Sequence, residues 1–227
     1  SYVSKLDHIE LIFGMQTEKA RIKLKEFQEF PLTSSSAFNN AVRPQGFHYD
    51  YEVDSKLIAV FFGFNEFSLA ENLTTFGDLR LEHNEYSYDN KIISGNTRDD
   101  GTVCGFGGCF YSRPEDRKDN FDEVSFRLGV EKNINSLTLF SQISMGFRPP
   151  QMTELYRLQK KQAVGDIDSE KLTMLEIGGR FVTDYFEGSL SLYSGKKRDS
   201  IFRDAENFIQ DNGKTDHKGL EIFTRLK

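Results

Sequence analysis

Carboxylates and guanidinium groups are the side chains of this sequence that could do chemistry, and they are scattered more than they converge. Glu82, Glu123, Glu131, Glu176 and Glu221 recur along the chain with Arg127, Arg180 and Arg225 among them. Glycoside hydrolysis needs two carboxylates flanking one bond. Here the acids are too many and too evenly spread for a pair to be singled out, so no catalytic residue is assigned and no enzyme is expected. Arg148, Glu154, Tyr156 and Arg157 form a denser group. It could attract an anionic metal chelate through its cations and stack it on Tyr156. The plainer reading pairs Arg148 with a neighbouring carboxylate, because half-buried charges need partners whatever a site carries. His8, His48, His83 and His217 have no metal-ligand spacing. Asp99, Asp100 and Asp116 do not follow a compact calcium loop, and phosphate-binding loops and nucleophile elbows are absent from the sequence. Neither a metal nor a cofactor is expected. Cys104 and Cys109 flank Gly-Phe-Gly-Gly. That spacing, with no further metal ligands nearby, predicts a disulfide and an oxidising compartment.

Composition narrows the classes. Asp and Glu outnumber Lys and Arg 35 to 29, with both signs mixed along the chain, so there is no basic tract to hold a nucleic-acid backbone. The chain is 37% hydrophobic with a mean hydropathy of −0.53. Every apolar run is broken well before the roughly 18 positions that a membrane helix needs. That excludes a helical membrane protein but leaves a membrane β-barrel open, because barrel strands alternate apolar and polar residues and average to an ordinary hydropathy.

The elements that must position these side chains are strands. Alternation of apolar and polar residues predicts eight, over about 8–22, 53–66, 73–88, 123–131, 137–147, 175–181, 189–202 and from about 220 to the end. The clearest hairpin sets Val124, Phe126, Leu128 and Val130 on one face against Glu123, Arg127 and Glu131 on the other. A short helical turn is read near 153–159. Connections alternate in length: polar stretches at 28–49, 89–119, 149–169 and 203–216 are long, and those between them are short. Charged residues on one strand face fit a soluble sandwich with charges facing water. They fit equally a wide barrel with an apolar outside and a charged lumen. The long and short alternation favours the barrel, whose periplasmic turns are short and extracellular loops long.

At the second half the sequence becomes recognisable. Gly146-Phe-Arg-Pro-Pro-Gln-Met-Thr-Glu-Leu-Tyr156, then Glu170 and Glu176-Ile-Gly-Gly-Arg180, resembles the barrel of TonB-dependent outer-membrane receptors. Asn212-Gly-Lys-Thr-Asp-His-Lys-Gly-Leu-Glu221 and Phe76-Gly-Asp-Leu-Arg-Leu-Glu-His83 are similar to its recurrent strand elements. The resemblance runs from about His8 to the end. It implies an all-β, antiparallel up-and-down membrane barrel, of which residues 1–227 supply an incomplete portion of a 22-stranded whole. A plug domain, a TonB box and the closing strands are expected to lie outside this stretch. The resemblance also implies that Glu82, Glu123, Arg127, Glu131, Glu176, Arg180, Glu221 and Arg225 line the lumen, facing one another or the plug. Expected partners are the lipid bilayer, the rest of the barrel, the plug, the TonB energy-coupling complex and a small metal-chelate cargo, a ferric siderophore or similar, in the bacterial outer membrane. A passive porin-like channel, a surface adhesin barrel and a soluble β-sandwich binding module are the alternatives. The sandwich requires Val124, Phe126, Leu128 and Val130 to face a protein core, whereas the barrel requires them to face lipid.

Overall fold

A computed structural model describes residues 2–6, 9–30, 46–92, 111–112, 114–159, 162, 167–206 and 208–227. The strands are β1 (Tyr2–Leu6), β2 (Ile9–Gln28), β3 (Gly46–Ala70), β4 (Leu73–Asn90), β5 (Tyr111–Ser112), β6 (Arg117–Ile134) and β7 (Leu137–Arg148). A short helix, α1 (Met152–Tyr156), follows, and then β8 (Leu158–Gln159), β9 (Glu170–Val182), β10 (Phe186–Arg203) and β11 (Ile209–Leu226). Nine of them form one antiparallel sheet in the order β1-β2-β3-β4-β6-β7-β9-β10-β11, and β5 pairs with β8 in a small ribbon. Each strand of the sheet lies beside its neighbour in the chain, so every pairing is a local hairpin that needs no crossover. Among the described residues β1 and β11 are the two edges, so the sheet is an open wall.

The two-residue side-chain period sorts that wall into two faces. Register runs across it through Met15, Val60, Leu81 and Val124, and through Phe13, Phe62, Leu79 and Phe126. The same face continues through Leu128 and Ile143 to Leu175, and through Ile177, Leu192 and Leu220. Leu128 is 50% exposed and Ile222 66% exposed, and no second layer covers this face among the described residues. The sandwich expectation therefore fails and the barrel expectation holds, because a bare apolar belt on a single-layer sheet is stable against hydrocarbon and not against water. No helix among the described residues is long and apolar enough to cross a membrane, which leaves strand crossing as it stands.

The opposite face is polar, with rings laid over glycines where strands approach. The Phe61 ring covers Gly14 and the Phe140 ring covers Gly178. A β-carbon on Gly178 would stand 2.6 Å from both the Phe140 ring and the Leu190 carbonyl oxygen, so only glycine fits. Phe61, an apolar inward residue of β3, belongs to this packing.

Short turns occupy one end of the wall. Asn72 and Asn135 adopt left-handed φ of 57° and 52° in the β3–β4 and β6–β7 turns, a conformation that asparagine tolerates better than most residues. At the opposite end β2, β4, β7 and β10 finish and β3, β6, β9 and β11 begin, so the long stretches of sequence are joined there. Three corrections to the expected elements follow. The sheet holds nine strands instead of eight, because β1 pairs with the start of β2. Strands β2, β3 and β6 run past their expected bounds and past the apolar belt, since a polar stretch that pairs in register remains a strand after its outward face leaves lipid. For the same reason the connection expected at 203–216 shrinks to 204–208: Lys197, Lys196 and Ser200 pair with Thr215, Asp216 and Gly213.

Candidate functional site

At the long-connection end, α1 lies on the polar face against a cluster of aromatic residues. Tyr49, Tyr51 and Val53 alternate along β3, and Tyr88 faces the same way from β4. With Leu155, Tyr156, Ile167 and Ile209 they form the main buried cluster among the described residues. Tyr156 has no exposed surface. Its ring stacks on Tyr88 at 4.3 Å and meets Tyr51 edge-on at 6.2 Å. The Tyr156 hydroxyl donates to Asp119 Oδ2 at 2.8 Å, and Asp119 is also held by Arg117. Burial, and then that bond, pushes the Tyr156 phenol well above its ordinary pKa, so it remains a donor throughout the neutral range.

Arg148 fixes the base of this loop. It ends β7 just before Pro149-Pro150, where a strand cannot continue, and its guanidinium is shared by two carboxylates. Arg148 Nε donates to Glu170 Oε2 at 2.6 Å, and its two terminal nitrogens donate to Glu154 at 3.0 and 3.1 Å. Glu154 also accepts the Gln151 backbone N–H at 2.6 Å, capping the helix it belongs to. Glu170 additionally receives Lys197 at 3.0 Å and the Ile201 N–H at 2.9 Å. One buried carboxylate thus ties β7, β9 and β10 together. Arg157 pairs with Glu26 at 2.6 Å and lies 5.8 Å from the centre of the Tyr49 ring. Arg148, Glu154, Tyr156 and Arg157 are therefore brought together around α1, and each is engaged by a protein partner.

The eight charged residues read from the strands all fall on the polar face by register. Arg127 bonds Asp78 at 2.9 Å, Arg180 pairs with Glu131 at 3.3 Å and Gln142 donates to Glu176 at 2.7 Å. Glu82 accepts from Arg80 at 2.8 Å and from Asn84 at 2.7 Å. Glu123, directly opposite Glu82 in the register, lies 3.6 Å from Lys171. Glu221 joins Glu176, Arg180, Ser189 and Ser191 around an open polar recess of about 490 Å³. Arg225 stands opposite Glu187. Among the described residues no three His, Cys, Asp or Glu side chains are grouped as metal ligands. Cys104 and Cys109, with Asp99 and Asp100, lie outside the described residues. Asp116 accepts the Asn90 N–H at 2.8 Å, and His83 pairs with Asp122 at 2.7 Å.

Sequence reasoning missed the tyrosine cluster, Asp119, Glu26 and Lys197 as parts of this site. Alternation of Tyr49 with Tyr51, and of Tyr86 with Tyr88, at a strand end above the apolar belt was a readable signal for a ring platform. Nothing local marks Glu26 or Lys197, which reach the site only through register.

Comparison with known proteins agrees with this geometry. The copper transporter OprC has a TM-score of 0.68 at 15% identity, over 98% of this chain and 34% of its own. The ferric yersiniabactin uptake receptor FyuA from Yersinia pestis has 0.65 at 15%, over 97% and 30%. The FrpB iron transporter from Neisseria meningitidis has 0.64 at 14%, over 99% and 32%. At these identities the likeness concerns the fold, and the chain spans about a third of the length of these structures. No curated protein sequence matches it. Residues 6–226 match the family described as TonB dependent receptor-like, beta-barrel, and with that match over nearly its whole length the chain belongs to this family of bacterial outer-membrane receptor barrels.

Proposed function

We propose that this chain is part of the wall of an outer-membrane receptor that takes up a scarce ligand, a ferric siderophore or similar metal chelate, with energy delivered through TonB. The observation that carries the reading is the placement of α1: a loop element folded over the polar face and held by Arg148, Glu154 and Glu170, where cargo entering from the long-connection side would meet it. The transport roles named for OprC, FyuA and FrpB support a metal-bearing cargo. In this reading the polar face is the lumen wall. Glu82, Glu123, Arg127, Glu131, Glu176, Arg180, Glu221 and Arg225 meet one another there or meet a plug domain. Arg148, Glu154, Tyr156 and Arg157 serve cargo binding by setting the position of the loop, since their own charges are already matched. The barrel performs no covalent chemistry on the cargo.

The test is uptake of radiolabelled iron–chelate complexes by cells carrying the full-length protein, with and without TonB. Saturable uptake that vanishes without TonB is the expected result. Uptake that is unsaturable and indifferent to TonB would replace this reading with the passive channel.

A further inference from the structure

Residues 148–159 run back over the polar face, against the order in which the chain built the sheet. From Arg148 at the end of β7 the segment passes β6, where the Tyr156 hydroxyl donates to Asp119, and β4, where the Tyr156 ring stacks on Tyr88. It ends over the β2–β3 hairpin. From β7 to β2 is four strand spacings, about 19 Å of wall at about 4.8 Å each. The far end makes two contacts, and both fall on one rung, because Glu26 and Tyr49 are directly opposed in register. Arg157 pairs with Glu26 at 2.6 Å and lies 5.8 Å from the centre of the Tyr49 ring. The Tyr49 hydroxyl donates to the Leu158 carbonyl oxygen at 2.9 Å. Strand β5 holds the same place, since Tyr111 and Ser112 pair with Gln159 and Leu158. Asn90, at the end of β4, donates its side-chain amide to the Pro114 carbonyl oxygen and its N–H to Asp116.

That rung needs support. It stands about 30 Å along β3 beyond Ile58, the first belt residue, at about 3.3 Å per residue, where lipid no longer backs the wall, and a two-stranded hairpin is marginally stable by itself. The segment over it is firmly seated: Tyr156 is fully buried, and Leu155 and Leu158 are each 1% exposed. The buried side-chain atoms left without a hydrogen-bond partner among the described residues are on Gln162, Ser169 and Ser200, all outside residues 148–159. Loops that move on binding are drawn from weakly held parts of a structure, and this segment is the reverse. We propose that residues 148–159 are a cross-brace in which Arg157, Glu26 and Tyr49 are positioning residues. They fix the crest of the β2–β3 hairpin against β6 and β7, so cargo meets a preformed rim on this side of the mouth instead of a loop that closes over it. The role toward cargo rests on the transport reading; the bracing itself does not.

The experiment is hydrogen exchange of the full-length receptor in detergent with no cargo present, and heat-modifiable migration on gels reports barrel folding. Arg157→Ala/Tyr49→Phe should lower the protection of the β2 and β3 ladder amides above Thr17 and Ile58 about tenfold, while amides from Leu11 to Met15 in the belt stay unchanged. The charge swap Arg157→Glu/Glu26→Arg should return crest protection to within about twofold of wild type, whereas Arg157→Glu alone should not. Lys23→Gln, which breaks an exposed pair on the other face of the same hairpin, should have little effect. If the Ala/Phe variant fails to fold, Glu26→Gln keeps the shape of the rung without its charge and should lower crest protection about threefold. In wild type the Glu154 and Leu155 amides should be protected about 100-fold or more. Unchanged crest protection in the Ala/Phe variant, or no recovery in the charge swap, overturns the brace. Weaker protection of Glu154 and Leu155 makes the segment a mobile loop and overturns the preformed rim. No cargo enters these measurements, so their failure is told apart from failure of the transport reading, which TonB-dependent uptake tests.

Discussion

Replacing Arg148 with alanine tests whether ion pairing, more than the ring cluster, holds α1 over the polar face. The change removes one hydrogen bond to Glu170 at 2.6 Å and two to Glu154 at 3.0 and 3.1 Å. Bonds to charged groups contribute about 1.5–3 kcal/mol each when buried, and breaking a buried pair costs about 3–5 kcal/mol. The Arg148 side chain is 37% exposed, so water screens the pairs and the cost falls to about 2 kcal/mol. Glu170 keeps Lys197 and the Ile201 N–H, which limits its penalty, while Glu154 is close enough to solvent to rehydrate. At 1.36 kcal/mol per tenfold, about 2 kcal/mol raises the open population of the loop about 30-fold. Hydrogen exchange in the full-length protein reads this directly, because the Glu154 and Leu155 amides are both bonded to the Gln151 carbonyl. Their protection should fall about 30-fold while β9 and β10 amides within the belt stay unchanged, and Arg148→Lys should fall between. Protection within threefold of wild type would refute the reasoning and leave the tyrosine cluster as the sole support of the loop.

Two further outcomes are expected. Because the Tyr156 phenol is raised in the folded state, its stabilisation is complete below the ordinary value of 10.0 and is lost as pH climbs beyond it. Absorbance titration of the wild type against Tyr156→Phe should therefore differ by one tyrosine that resists ionisation past that point; a Tyr156 that ionises at the ordinary value would contradict the packing. Leu79→Arg, on the outward face within the belt, should destabilise the full-length barrel in lipid vesicles by about 2–4 kcal/mol in urea titrations. Ser125→Arg on the opposite face should cost much less, and equal costs would mean that the belt does not meet lipid.

Much of the wall was legible because a strand's side-chain period is short and strict. Val124 to Val130 against Glu123 to Glu131 gave faces, and Pro149-Pro150 gave a strand end. Strand lengths above the belt were not legible. Lys23 and Lys25 fall past the strand end expected at about 22, yet they are strand residues whose partners Glu52 and Asp50 lie across the hairpin. The Arg148–Glu154 contact was half visible, since the residues are near in sequence. Glu170 meets Lys197 only because β9 and β10 pair in one register, and no local signal encodes that.

The overshoot of β3 sets how far the wall stands above the belt. From Gly46 to the first belt residue, Ile58, the strand rises for about 12 residues at about 3.3 Å each. With the tilt of about 40° usual in such barrels, that is a parapet about 30 Å tall, comparable to the hydrocarbon thickness beneath it. Over that height the outward side of the β2–β3 hairpin carries the matched rungs Arg21–Asp54, Lys23–Glu52 and Lys25–Asp50, so cross-strand charge pairing replaces lipid contact as what its outer surface is built for.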